Sequence, residues 1–213
     1  MFDLTQFIVS TSVRLPAILA GLTFHEYAHG WVADKLGDPT ARRAGRLTFN
    51  PLAHLDPIGT LALIFSPVGW AKPVPVDFSS LRRPRRDMIW VAAAGPGANL
   101  ILAVVSAWSF RLFEGSHAVG ESGWLLALFT PLRLMLYSSV VINVALAIFN
   151  LLPLPPLDGG RVTAGLLPPR QAASYGRLER YGFILLLVLI FSGVVDRVIR
   201  PPIVLVAGLL LGP

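Results

Sequence analysis

His25-Glu26-Tyr27-Ala28-His29 puts two imidazoles four residues apart with a carboxylate between them. On a helix, residues at that spacing share a face, so both rings can address one cation. Imidazole suits zinc, and Glu26, one residue round from His25, can hold the water that the metal acidifies. That is the arrangement of a zinc hydrolase. A catalytic zinc normally takes three protein ligands and leaves a fourth position to water, so a third ligand has to come from elsewhere. The chain has no cysteine and 4 histidines, which leaves His54, His117 and the carboxylates. Asp158 stands out, because in Leu157-Asp158-Gly159-Gly160 an acid is flanked by apolar and small residues. Burying a lone carboxylate is costly unless a cation or hydrogen bonds compensate. The plainer reading of Asp158 is a turn residue at a helix end, since Asp-Gly is a turn signal.

These residues sit in a greasy chain. Ile18, Leu19, Ala20, Leu22 and Phe24 lead into the first motif, and 54% of the 213 residues are hydrophobic, with a mean hydropathy of +0.65. Such values point to an integral membrane protein in a lipid bilayer. The net charge of +6 raises nucleic acid as a partner, but the basic residues fall in loops between apolar runs rather than on one face, which argues for no nucleic acid. No cleavable signal is expected, because Asp3 precedes the apolar region and no basic leader is present.

The expected fold is an all-α polytopic membrane protein, with a three-helix catalytic core, additional span(s) and a short membrane-associated β or re-entrant segment. Spanning hydrocarbon takes about 20 mostly apolar residues. Four regions come near: about Leu4 to Leu36, with a kink at Pro16 and a stop at Gly37-Asp38-Pro39; Met88 to Phe113; Trp124 to Leu152; and Tyr181 to Ile199. The last is followed by Pro201-Pro202 and an apolar tail, Pro202 to Leu211, too short to cross alone. Pro57 to Ala71 is short and cut by Gly59, Pro67 and Gly69, which suits a half-buried or re-entrant piece. In Trp70 to Val76, prolines at alternate positions exclude helix and predict an extended edge strand. Arginine and lysine cluster in Lys35 to Arg46, in Lys72 to Arg86 and after Arg161, whereas Glu114 to Gly123 has none. The positive-inside rule then puts the first three on the cytoplasmic side of the cell membrane. His29 lies seven residues from Leu36, about 10 Å along a helix, so the site is shallow and opens toward the cytoplasm.

Together the pentapeptide and the run Asn150-Leu151-Leu152-Pro153-Leu154-Pro155-Pro156-Leu157-Asp158-Gly159-Gly160 resemble the site-2 protease family of intramembrane zinc metalloproteases. Asn50 to Thr60, with His54, is similar to its short prokaryotic branch, and Gly95-Pro96-Gly97-Ala98-Asn99 resembles a family element opening the second core helix. The resemblance covers about Leu15 to Val162. It implies one zinc ion held by His25, His29 and Asp158, Glu26 as general base, and cleavage of transmembrane protein or peptide substrates in or near their membrane segments. The 11 residues between Val76 and Met88 leave no room for the peptide-binding domain that some members insert there. The chain is expected to be a single membrane-embedded metalloprotease domain, 1–213, with its core at about 4–162 and extra C-terminal span(s) at about 181–211.

Asn150, His54 and Asn99 are further candidates for oxyanion or substrate contacts. Their plainer roles are a helix cap for Asn150, a structural loop residue for His54 and an interhelical hydrogen bonder for Asn99, with Gly95 and Gly97 allowing close helix packing. A non-hydrolytic metal-binding membrane protein, such as a divalent-cation carrier, is the alternative from another class. Glu26 separates the two, because a carrier needs charge but no base beside a water.

Overall fold

The computed structural model describes residues 3–65, 69–115 and 123–212. Among the described residues the chain is all helix and loop, with no strand and one isolated antiparallel bridge, Leu55 to Ala71. His117 and most of the predicted outward loop lie outside them.

Helix α1 (Leu4–Lys35) starts at Asp3, whose carboxylate accepts the Gln6 N–H at 3.1 Å, and runs through Pro16 without interruption. It stops where Gly37 takes a φ of +116°, a conformation glycine tolerates best. After α2 (Thr40–Arg43) and α3 (Pro57–Phe65) come two more long helices, α4 (Pro84–Gly115) and α5 (Gly123–Asn150). Helices α1, α4 and α5 pack on one another as the expected three-helix core, and each is long and apolar enough to cross a membrane. Small residues let them approach: Ala103, Ala107, Val140 and Val144 form a buried cluster between α4 and α5. Trp90, Ile101 and Trp108 stay exposed on α4, an apolar face suited to lipid. The protein is therefore a multi-pass membrane protein.

The fourth span is broken, and not at its prolines. Helix α8 (Glu179–Phe191) ends at Ser192, Gly193 turns left-handed at φ +73°, and α9 (Val194–Leu211) leaves at 75° to α8. Pro201 and Pro202, expected to end that span, lie inside α9. Membrane helices tolerate proline because their surroundings satisfy the freed carbonyls, whereas glycine just past a helix end is the ordinary place for a reversal. The tail packs on the core through Ala207. Two short helices precede this pair, α6 (Asp158–Leu166) and α7 (Pro169–Gly176).

Between α1 and α4 the segment around Trp70 to Val76 is extended but forms no strand. Pro73 and Pro75 have no N–H to give a ladder, so it is tethered in other ways. The Lys72 N–H donates to the His54 carbonyl (2.9 Å), and the Arg46 guanidinium donates to the carbonyls of Lys72 (2.7 Å) and Pro73 (3.1 Å). Farther on, fully buried Asp38 accepts the Asp77 and Thr40 N–H groups at 2.7 and 2.9 Å and the Thr40 hydroxyl. Asp77 itself takes the hydroxyls of Ser79 and Ser80, which hold its carboxyl below the ordinary carboxylate range. Helix α3 seats its Gly59 so close to Trp70 that a Cβ there would collide with the Trp70 carbonyl.

Candidate metal centre and active site

His25 and His29 lie on one face of α1, both buried, with their Nε2 atoms 3.0 Å apart. Asp158 meets them from the far end of the chain, its Oδ2 at 3.1 Å from His25 Nε2 and 3.2 Å from His29 Nε2. The acid is not carried on the third long helix, α5. A loop after α5 brings it in as the first residue of α6. The glycines that follow are helical and serve close approach rather than a tight turn. A Cβ on Gly159 would strike the Leu151 carbonyl, and one on Gly160 would lie 2.7 Å from Pro155 N.

The outer ring nitrogens decide what the inner ones offer. His29 Nδ1 lies 2.7 Å from the Val91 carbonyl, which can only accept, so Nδ1 carries the hydrogen. His25 Nδ1 faces Asn99 Oδ1 at 2.7 Å. Asn99 is fully buried, and its Nδ2 donates to the Gly21 carbonyl (3.0 Å) and to Asn143 Oδ1 (2.9 Å), which turns its oxygen toward His25. With both hydrogens on Nδ1, neutral rings present bare lone pairs at Nε2. Two imidazole lone pairs and a carboxylate oxygen then converge, and Asp158 Oδ2 is buried with no hydrogen-bond donor among the described residues. Such a cluster repels itself unless a cation sits in it. Ligands tetrahedrally disposed at about 2.0–2.1 Å from zinc lie about 3.3–3.4 Å from one another, close to the three separations observed. The donor set fits zinc.

Gly95 completes the fit from α4. A Cβ there would strike His29 Nε2 and lie 2.7 Å from the His25 ring, so only glycine lets α4 back directly onto the imidazoles. Gly97 has open space around its Cβ position and serves no such contact. The Gly95-to-Asn99 element lies well inside α4 rather than at its opening.

Glu26 points into a cavity of about 630 Å³ that also exposes His25, His29 and Asp158. Its carboxylate accepts the Val74 N–H at 2.8 Å, so the extended segment forms the wall facing the imidazoles. Phe183, Leu186 and Ile190 of α8 supply an apolar side. Asn150 lines the cavity while its Nδ2 donates back to the Leu146 carbonyl at 2.9 Å. His54 does not reach it. The ring is fully buried, Nε2 lies 2.8 Å from the Thr48 carbonyl, and the residue's own carbonyl anchors Lys72. Asn99 likewise sits behind His25, with both ends of its amide engaged. Sequence reasoning passed over Asn143 and Arg46. An amide in the interior of an apolar helix was the signal for the first; nothing marked the second.

Known proteins resemble this chain over most of its length. The model of peptidase family M50 matches residues 125–192. "Putative zinc metalloprotease YwhC" of Bacillus subtilis is 42% identical over 184 residues, covering 86% of this chain and 82% of the relative. "Putative zinc metalloprotease Rip2" of Mycolicibacterium smegmatis is 30% identical over 84% of this chain, and its namesake in Mycobacterium tuberculosis (strain H37Rv) 29% over 82%; the aligned parts span 66% and 64% of those proteins. No solved structure matches. The identity to YwhC across most of both chains shows that this chain belongs to peptidase family M50, the site-2 protease family of zinc metalloproteases.

Proposed function

We propose that the protein is an intramembrane zinc endopeptidase that hydrolyses peptide bonds in or near the transmembrane segments of membrane-protein substrates, with His25, His29 and Asp158 holding one zinc and Glu26 as general base. The observation that carries this reading is the meeting of His25 Nε2, His29 Nε2 and Asp158 Oδ2 within 3.2 Å of one another, beside a carboxylate that opens on the same cavity.

Zinc bound there supplies Lewis acidity, polarising a carbonyl and bringing the pKa of water toward about 7. Glu26 takes the proton of the attacking water and returns it to the leaving nitrogen. The Val74 N–H fixes the carboxylate for that task. Apolar walls from α8 keep bulk water out and strengthen every charge interaction inside. Asn150 commits its Nδ2 to Leu146 through one hydrogen, which leaves a second amide hydrogen for the developing oxyanion. A substrate helix has its carbonyls tied up internally and must unwind; the extended Trp70 to Val76 wall offers backbone pairing in exchange. Residues 1–213 act as one membrane-embedded domain in the cell membrane. The clusters of arginine at Arg42, Arg43 and Arg82 to Arg86 orient the site toward the cytoplasm.

The test is cleavage of a model single-span substrate by purified wild type and Glu26→Gln, with zinc content measured on both. Zinc retained by both and cleavage by wild type alone is the expected outcome. Zinc binding without cleavage by wild type would assign the site to a metal carrier instead.

A further inference from the structure

Behind the imidazoles a chain of side chains crosses all three core helices: His25 on α1, Asn99 on α4, Asn143 and Ser139 on α5. Asn143 is fully buried in the helix bundle, where an unpaired amide is expensive. Its Nδ2 donates to the Ser139 carbonyl (2.9 Å) and to Ser139 Oγ (3.2 Å), and that hydroxyl lies 2.8 Å from Ser106 Oγ on α4. A carbonyl cannot donate, so the Ser139 carbonyl fixes which end of the Asn143 amide faces it. The oxygen must then face Asn99, where it accepts one Nδ2 hydrogen; the Gly21 carbonyl accepts the other. Both Asn99 donors are thereby spent, and only its oxygen remains for His25.

We infer that Asn143 is a positioning residue for the metal centre: acting through Asn99, it holds His25 with its hydrogen on Nδ1 and its Nε2 lone pair directed at the ion before the ion arrives. The inference rests on the zinc site proposed above. It differs from simple interhelical adhesion, which would be satisfied by any hydrogen bond between α4 and α5, because here each amide is oriented by a backbone carbonyl and the direction carries through to one ring nitrogen. Outer partners of this kind change metal affinity by about 10–100-fold when lost. Glycine at position 21 belongs to the same device, since a Cβ there would press on Asn143 Oδ1 at 2.8 Å.

The experiment measures zinc affinity of the full chain in detergent, by competition with a chromophoric chelator, for wild type, Asn143→Leu and Asn143→Asp. Leucine keeps the bulk but leaves a buried Asn99 N–H without an acceptor, and zinc affinity should fall about tenfold or more. A neutral aspartic acid reproduces both functions, accepting from Asn99 and donating to the Ser139 carbonyl, and should stay within about threefold of wild type. Nitrogen NMR of histidine-labelled, metal-free wild type gives a second readout independent of any variant: the hydrogen of His25 should reside on Nδ1. Leucine as good as asparagine, aspartic acid as poor as leucine, or the hydrogen on Nε2 would each overturn the inference. Wild type that binds no zinc would bring down the proposed function and this inference together, whereas tight binding unaltered by Asn143→Leu would remove only the latter. Should Asn143→Leu fail to fold, the aspartic acid variant and the wild-type spectrum decide.

Discussion

Glu26 and Val74 share a 2.8 Å hydrogen bond that joins the helix bearing the imidazole pair to the extended wall of the cavity. Residues flanking Val74 on either side are prolines, so this N–H is the one donor that stretch can turn toward the carboxylate. A hydrogen bond to a charged group contributes about 1.5–3 kcal/mol. Val74→Pro deletes the donor with little change in an already extended backbone, and at about 1.4 kcal/mol per factor of ten kcat should fall about 10–100-fold. Val74→Ala keeps the N–H and should retain kcat. Zinc content should be wild type in both; equal kcat for the two variants would refute the role given to this bond.

Asp158→Ala removes one of three converging donors and leaves two imidazoles alone. Its loss in zinc affinity should exceed the about 10–100-fold attributable to outer partners, and zinc content after mild chelation reads it directly. Full occupancy without Asp158 would show that the third ligand lies elsewhere.

Gly95→Ala sets two effects against each other. Alanine favours helix over glycine by about 1 kcal/mol, so α4 itself should gain. The added Cβ runs into His29 Nε2 and the His25 ring, so the imidazoles have to move. Metal-free helicity and melting should be preserved while zinc affinity drops about tenfold or more, the scale of a disturbed metal environment. Gly97→Ala, two residues on with open space at its Cβ, should bind zinc normally, which separates collision from any general change in α4.

Residue types and spacing made the imidazole pair, Glu26 and Asp158 legible, because each is costly in an apolar chain without a task. Long apolar runs likewise gave α1, α4 and α5 to within a few residues. What stayed hidden depends on partners. Asn99 was visible as a polar residue in a membrane helix, but that it faces His25 and not the cavity is fixed by the Gly21 carbonyl and by Asn143, more than 40 positions away in sequence. For His54 the sequence left a site contact and a structural loop role both open, and the ring turns to Thr48 while the carbonyl takes the Lys72 N–H. The Pro201-Pro202 pair drew attention from Ser192-Gly193 because proline is the stronger helix breaker in sequence, and only backbone geometry separates a tolerated proline from a real reversal.

That reversal gives the last prediction. Gly193 at φ +73° directs α9 onto the core, where Ala207 packs against α4 and α5, and leaves α8 free to line the cavity with Leu186 and Ile190. A side chain in the left-handed region costs about 1–2 kcal/mol. Gly193→Ala should therefore relieve itself by loosening the 75° junction, and the element that can yield is α8, because α9 is held by the core cluster. The ligands come from α1 and α6, and α8 meets the second only where Gly182 backs onto the Pro155 carbonyl in the loop before Asp158, so zinc affinity should change far less than KM. Substrate handling should suffer: the apolar wall beside Glu26 is less well placed, and KM for a model single-span substrate should rise several-fold, within the about tenfold that a 1.4 kcal/mol loss allows. If zinc affinity fell along with KM, the metal centre would be coupled to α8 more tightly than the packing of α1, α4 and α6 implies; if neither moved, the junction would be a passive connection and the wall provided by α8 would have no part in binding substrate.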